Sequence, residues 1–73
     1  MGTITYNADI HSFLVKNADK EIELGIDDRG WRRFSPSMLN DIYYLLHEAR
    51  ETHEGAAWYL ADDLFGDLHA YMW

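Results

Sequence analysis

Leu39, Ile42, Leu46 and Ala49 recur at intervals of three and four, with Leu45 alongside, behind Ser35–Pro36 and ahead of Gly55. That spacing returns an apolar side chain to one face of a 3.6-residue period, so it predicts an amphipathic helix over 36–53. Ser35 suits the N-cap, Pro36 suits the first turn, and Gly55 suits the stop. Beyond Gly55, Ala57, Leu60, Ala61, Leu64, Leu68, Tyr71 and Met72 form a second stripe. It predicts a helix over 56–71, with Gly66 as a weak point costing about 1 kcal/mol relative to alanine. The connection is short, and short connections favour antiparallel neighbours. The two segments are therefore expected to form a helical hairpin.

The first half carries a different pattern. In "EIELGIDDRGWRRF", Ile22, Leu24 and Ile26 alternate with polar positions before "DDRG", and Trp31 and Phe34 follow. That reads as a β-hairpin with its turn at residues 27–30. Upstream, His11, Phe13 and Val15 alternate as in a strand, with "NADK" as a type I turn into the next one. Ile10, Phe13 and Leu14 also share one helical face, so 8–17 has two readings, of which the strand is preferred. The expected fold class is α+β: a small antiparallel β-meander of two or three strands packed against the helical hairpin. One domain spans 1–73, with 1–34 mainly β and 35–73 two helices.

At 73 residues the chain buries only about 60% of its unfolded surface, so it must use its apolar residues well. With 48% hydrophobic and 15% aromatic residues it has enough to build a core. It has no cysteine, which leaves no disulfide and no thiolate metal site. The longest apolar run, "IYYLL", is far short of the ~20 residues that span a bilayer, and no signal peptide is visible. A cytoplasmic protein is expected.

The net charge is −7. Residues 1–34 hold six acids against five bases, whereas residues 35–73 hold seven acids against Arg50 alone. Such a field repels nucleic acid and anionic membrane, so neither is an expected direct partner. On the first helix, Asn40, Asp41, Tyr44, His47, Glu48 and Glu51 face outward, with Tyr43 at the edge. On the second, Tyr59, Asp62, Asp63, Gly66, Asp67, Ala70 and Trp73 do so. Rings stand among acids on both. A solvated acidic face is the plain reading, since exposed aromatic atoms are common. The sharper reading is a protein-binding surface, because Tyr and Trp supply interface hot spots and carboxylates pair with a partner's Lys and Arg. One-sided charge favours the second: faces made for solubility mix signs, while here Arg50 is left to serve Glu54 and the second helix has no base.

Asp41, Glu48 and Glu51 are spaced about 10 and 5 Å along the axis, with Asp62, Asp63 and Asp67 on a similar scale. Phosphates of a nucleic-acid strand recur at comparable intervals. No Gly-rich loop, nucleophile elbow or cysteine accompanies the acids, so no enzyme and no cofactor is expected. His47, Glu51 and Glu54 have ligand spacing on one face, with His53 nearby and His69 across the hairpin, but the set is incomplete and no metal is expected. Arg29, Arg32 and Arg33 around Trp31 could hold an anion, or could pair with Asp27, Asp28 or the acidic helices; the pairing is preferred.

As a whole the chain resembles the very small, acidic, cysteine-free proteins that phages and other mobile elements use against bacterial immunity, among them anti-CRISPR proteins and DNA-mimicking restriction inhibitors. The resemblance lies in size, charge and the acid–aromatic faces of 41–54 and 58–73. It implies a stoichiometric inhibitor that occludes a basic nucleic-acid-binding surface, such as that of a Cas effector, in the cytoplasm of a bacterial host. Asp41, Glu48, Glu51, Asp62, Asp63 and Asp67 would then stand in for phosphates, and Tyr44, Tyr59 and Trp73 would anchor the contact. The alternative is a small regulatory or assembly subunit that docks a partner, or forms a homodimer, through the same face.

Overall fold

The computed structural model describes residues 2–26 and 30–73. Three strands, β1 (Thr3–Asn7), β2 (Ser12–Asn17) and β3 (Lys20–Gly25), precede a single 3-10 turn at Trp31–Arg33. Two helices follow, α1 (Pro36–Thr52) and α2 (Ala56–Met72). The sheet runs β1-β2-β3 with both pairs antiparallel, a simple meander. This is the expected α+β arrangement.

The stretch 8–17 resolves into a turn and a strand. Phe13 and Val15 of β2 are fully buried; Tyr6 and Leu24 flank Phe13, and Ile4 and Ile22 flank Val15. Alternation therefore gives the sheet one apolar face across all three strands. The competing helical face fails because Ile10 is exposed and Leu14 lies on the other side of the sheet. The β2–β3 connection differs from the expected type I turn. Asn17 pairs with Lys20, so only Ala18 and Asp19 form the loop, and Ala18 adopts φ 58°. Two-residue hairpins favour turns with a left-handed residue because these match the strand twist.

The expected second arm of a hairpin at Trp31 and Phe34 is not a strand. Residues three apart fall on opposite faces of a strand but on one side of a helical turn. A 3-10 turn, closed by Arg33 N–H to Gly30 O at 3.3 Å and Phe34 N–H to Trp31 O at 3.1 Å, lets both rings turn towards the core. The intended turn residues Asp27, Asp28 and Arg29 lie outside the described residues.

Helix α1 starts as its sequence dictates: Ser35 Oγ accepts from Met38 N–H at 3.3 Å, with Pro36 in the first turn. It buries Met38, Leu39, Ile42, Leu45, Leu46 and Ala49. Gly55 reverses the chain at φ 64°, a conformation that costs a residue with a Cβ, and its carbonyl accepts from Tyr59 N–H. Helix α2 buries Ala57, Leu60, Ala61, Leu64 and Leu68. Tyr71, expected on this stripe, is instead 50% exposed, beside Phe34 and Pro36 at the open end of the hairpin. Late residues of α1 meet early residues of α2 (Arg50 with Asp62) and early meet late (Tyr43 with His69), so the helices are antiparallel. Their joint apolar face and the inner sheet face enclose one core, with Trp31 plugging its edge. Among the described residues no helix is long and apolar enough to cross a membrane.

Candidate protein-binding surface

The side of the hairpin turned from the sheet carries a continuous ladder of rings. Tyr43 of α1 packs against Phe65 (4.6 Å between centroids), Trp73 (5.3 Å) and His69 (6.0 Å) of α2. Trp73 stacks on His69 at 5.0 Å, and Tyr43 Oη lies 3.2 Å from His69 Nδ1. His47 extends the row against Phe65 at 5.7 Å, and Tyr44 meets Tyr43 edge-on. The ladder exists because α1 presents Tyr43 and His47 at i, i+4 while α2 presents Phe65, His69 and Trp73 at i, i+4, i+8. Residues at those intervals lie one above another on a helix face, so two such rows meet along the seam of an antiparallel pair.

Arg50 closes the ladder at the Gly55 end. Its guanidinium carbon lies 4.9 Å from the centre of Phe65 and 5.9 Å from that of Trp58, and Nε is 3.1 Å from Asp62 Oδ1. Nε is buried and the approach to Asp62 lacks hydrogen-bond alignment, so the pair is held by charge and ring stacking. The expected Arg50–Glu54 partnership is thus replaced by a bridge between the helices. The local reason is length: Arg50 reaches across the seam to a ring-lined carboxylate rather than along its own exposed face.

The nine residues singled out from the sequence divide by their surroundings. Asp41 is half-buried and accepts from Asn17 Nδ2 at 2.7 Å, tying α1 to the β2–β3 turn. Asp62 is taken up by Arg50. Asp67 accepts from the indole N–H of buried Trp31 at 2.5 Å, so it fastens α2 to the 3-10 turn. These three are primarily structural. Glu48, Glu51 and Asp63 are exposed, Glu51 within 3.2 Å of His47 Nε2. Tyr44, Tyr59 and Trp73 are 53%, 69% and 73% exposed. Glu48 is five residues from Tyr43, about 140° round the helix, which puts it on the flank away from α2. The two acidic rows therefore flank the ring ladder instead of running side by side.

Sequence reasoning set Tyr43 at an edge, gave His47 and His69 to metal weighing, and missed Phe65 as the hub. The i, i+4, i+8 ring series in α2 was the signal that could have found the ladder. The histidines have other partners: His11 Nδ1 is 2.7 Å from Tyr6 Oη, and His53 Nδ1 lies near Ala49 O and Thr52 Oγ1. Among the described residues no three His, Asp or Glu side chains converge as a metal site. Arg33 lies over the Phe34 ring at 4.7 Å. Family models, curated proteins and solved structures were each compared with the chain, and none matches it.

Proposed function

We propose that the protein is a stoichiometric inhibitor that docks the outer side of its helical hairpin on a basic, nucleic-acid-binding surface of another protein and occludes it. This is one mode of action found in the anti-CRISPR-like class it resembles, and a Cas effector in a bacterial cytoplasm is the target class that reading names. The observation that carries it is the standing of Tyr44, Tyr59 and Trp73, each more than half exposed, among the exposed acids Glu48, Glu51 and Asp63. Rings of this kind supply anchoring area, and carboxylates on the rim steer and orient a cationic partner. The one base on the two helices is already engaged with Asp62, so a partner meets net negative charge.

Occlusion is favoured over a strict imitation of a phosphate row. Asp41, Asp62 and Asp67 are only partly exposed, so the charge turned outward is weighted towards the exposed Glu48, Glu51 and Asp63. Catalysis has no part in this reading.

Tagged protein is used to capture partners from bacterial lysate under a nuclease wash. The control carries Glu48→Lys, Glu51→Lys and Asp63→Lys, which spares the three structural aspartates. The expected outcome is a nucleic-acid-binding protein held by the native chain, released by rising salt or by added duplex, and lost by the control. Equal capture by the control would show that the acids do not select the partner.

A further inference from the structure

The face of the sheet turned from the core carries a groove of about 430 Å³ beside the β1–β2 turn, lined by Thr5, Asn7, Asp9, Ser12, Leu14 and Glu23. Alternation explains the set. Phe13 and Val15 of β2 point into the core, so Ser12 and Leu14 point to the opposite side. Strand register then places Asn7 and Gly25 beside Ser12, and Thr5 and Glu23 beside Leu14. The N–H of Asp9 donates to Asn7 Oδ1 at 3.0 Å, which holds the turn against the end of β1.

Ser12 sets this groove apart from an ordinary solvated sheet face. It is 4% exposed, and its hydroxyl has no hydrogen-bond partner among the described residues. A buried polar group left without a partner costs stability and is uncommon in folded chains. Gly25, next to it in the register, has room for a Cβ that would meet nothing within 4 Å, and its φ is not positive. The backbone therefore gives no reason for glycine there, while glycine in a strand often marks the close approach of a ligand. An orphaned hydroxyl and an open space lie side by side.

The charges around them select the ligand. Asp9 and Glu23 are exposed carboxylates on opposite sides of the groove, and no Lys or Arg lines it. Lys16, on the same sheet face, stands opposite Glu21 instead. We propose that the groove binds an aliphatic ammonium group. Its head lies between the carboxylates and donates to Ser12 Oγ, and its methylene stem lies along Leu14 and Thr5. An ammonium brings three donors and no acceptor, which suits a hydroxyl oxygen and two carboxylates. A compact point charge fits acceptors that stand apart on different strands better than the planar fork of a guanidinium does. The serine hydroxyl turns between staggered positions about χ1, and the space beside Gly25 is where it meets the ammonium. The net charge of −7 concentrates cations near the chain, but the groove chooses where one is held. The site shares no residue with the hairpin surface and goes beyond the inhibitor reading.

An amide NMR titration of the intact chain with diaminobutane, in about 0.15 M NaCl to screen diffuse attraction, tests the site. Saturable shifts are expected at Asn7, Asp9, Ser12 and Gly25. Ser12→Ala should bind about tenfold more weakly or worse, the loss of one charge-assisted hydrogen bond, and yet melt at a higher temperature. Gly25→Val fills the space with a residue that suits a strand, so the sheet should persist and the shifts should vanish. Tetramethylammonium carries the charge without an N–H and should leave the groove unshifted. N-acetyl-lysine amide identifies the source of the ammonium: binding as tight as the diamine or tighter assigns a protein partner's lysine, and weaker binding assigns a free amine. Shifts that never saturate, shifts that gather at Glu48, Glu51 and Asp63, or native affinity in Ser12→Ala would overturn the proposal. The Glu48→Lys, Glu51→Lys, Asp63→Lys chain should still bind the amine, so failure of this site and failure of the inhibitor reading are read separately.

Discussion

Asp67 shows how a single contact changes a residue's role. Helical angle alone puts it on the outer face of α2, yet it accepts from the indole of Trp31, which is 2% exposed. The partner is thirty-six residues away, so no local spacing could reveal it. Removing the acceptor strands a buried donor, and that costs about 1–3 kcal/mol. Chemical denaturation should show Asp67→Ala destabilised by about that amount, with Asp67→Asn, which keeps an acceptor, recovering most of it. Ser12 presents the reverse case. It is 4% exposed and its hydroxyl has no hydrogen-bond partner among the described residues. Ser12→Ala removes an unsatisfied group at little cost in packing, so the same measurement should find a gain of about 1 kcal/mol.

At the scale of elements, what the chain declares openly is what has a long period. Helices α1 and α2 could be placed within a residue or so because each repeats its apolar stripe over four turns, with Ser35–Pro36 opening the first and Gly55 dividing the two. Strand β1, carried by Ile4 and Tyr6 alone, offers too short an alternation to be set apart from its neighbours. The 3-10 turn at Trp31–Arg33 was misread as a strand because one Trp and one Phe look like β residues, although their spacing of three contradicts a period of two. The ring ladder was hidden for another reason: it belongs to both helices at once, and each helix taken singly shows only half of it. Two rings of that ladder should behave oppositely. Phe65 is half-buried at the seam, against Tyr43 and beneath Arg50. Phe65→Ala should cost about 1–3 kcal/mol, less than a fully buried phenylalanine. Trp73 is mostly exposed, so Trp73→Ala should cost under about 1 kcal/mol while weakening target binding by tenfold or more, as hot-spot rings do. Paired melts and titrations separate the two effects.

At the scale of the molecule, the sheet and the hairpin divide the work. The sheet supplies one apolar face and shares the core; the hairpin carries the exposed acids Glu48, Glu51 and Asp63 and the exposed rings Tyr44, Tyr59 and Trp73. Most of the fold was legible because two helical stripes and an alternating sheet each present an apolar face that must be buried against another element. The candidate surface was legible as a face but not in detail, since Asp41, Asp62 and Asp67 make contacts within the fold that no local spacing reveals. The charge balance predicts that target binding loosens as salt rises.

The most direct test of the inhibitor reading is an equilibrium competition on the captured partner. Labelled nucleic acid is bound to that partner and the protein is titrated in. Displacement complete near one equivalent, lost together in the Glu48→Lys, Glu51→Lys, Asp63→Lys chain and in Trp73→Ala, is the predicted result. Nucleic acid that stays bound while the protein also binds, in a ternary complex with unchanged affinity, would contradict it.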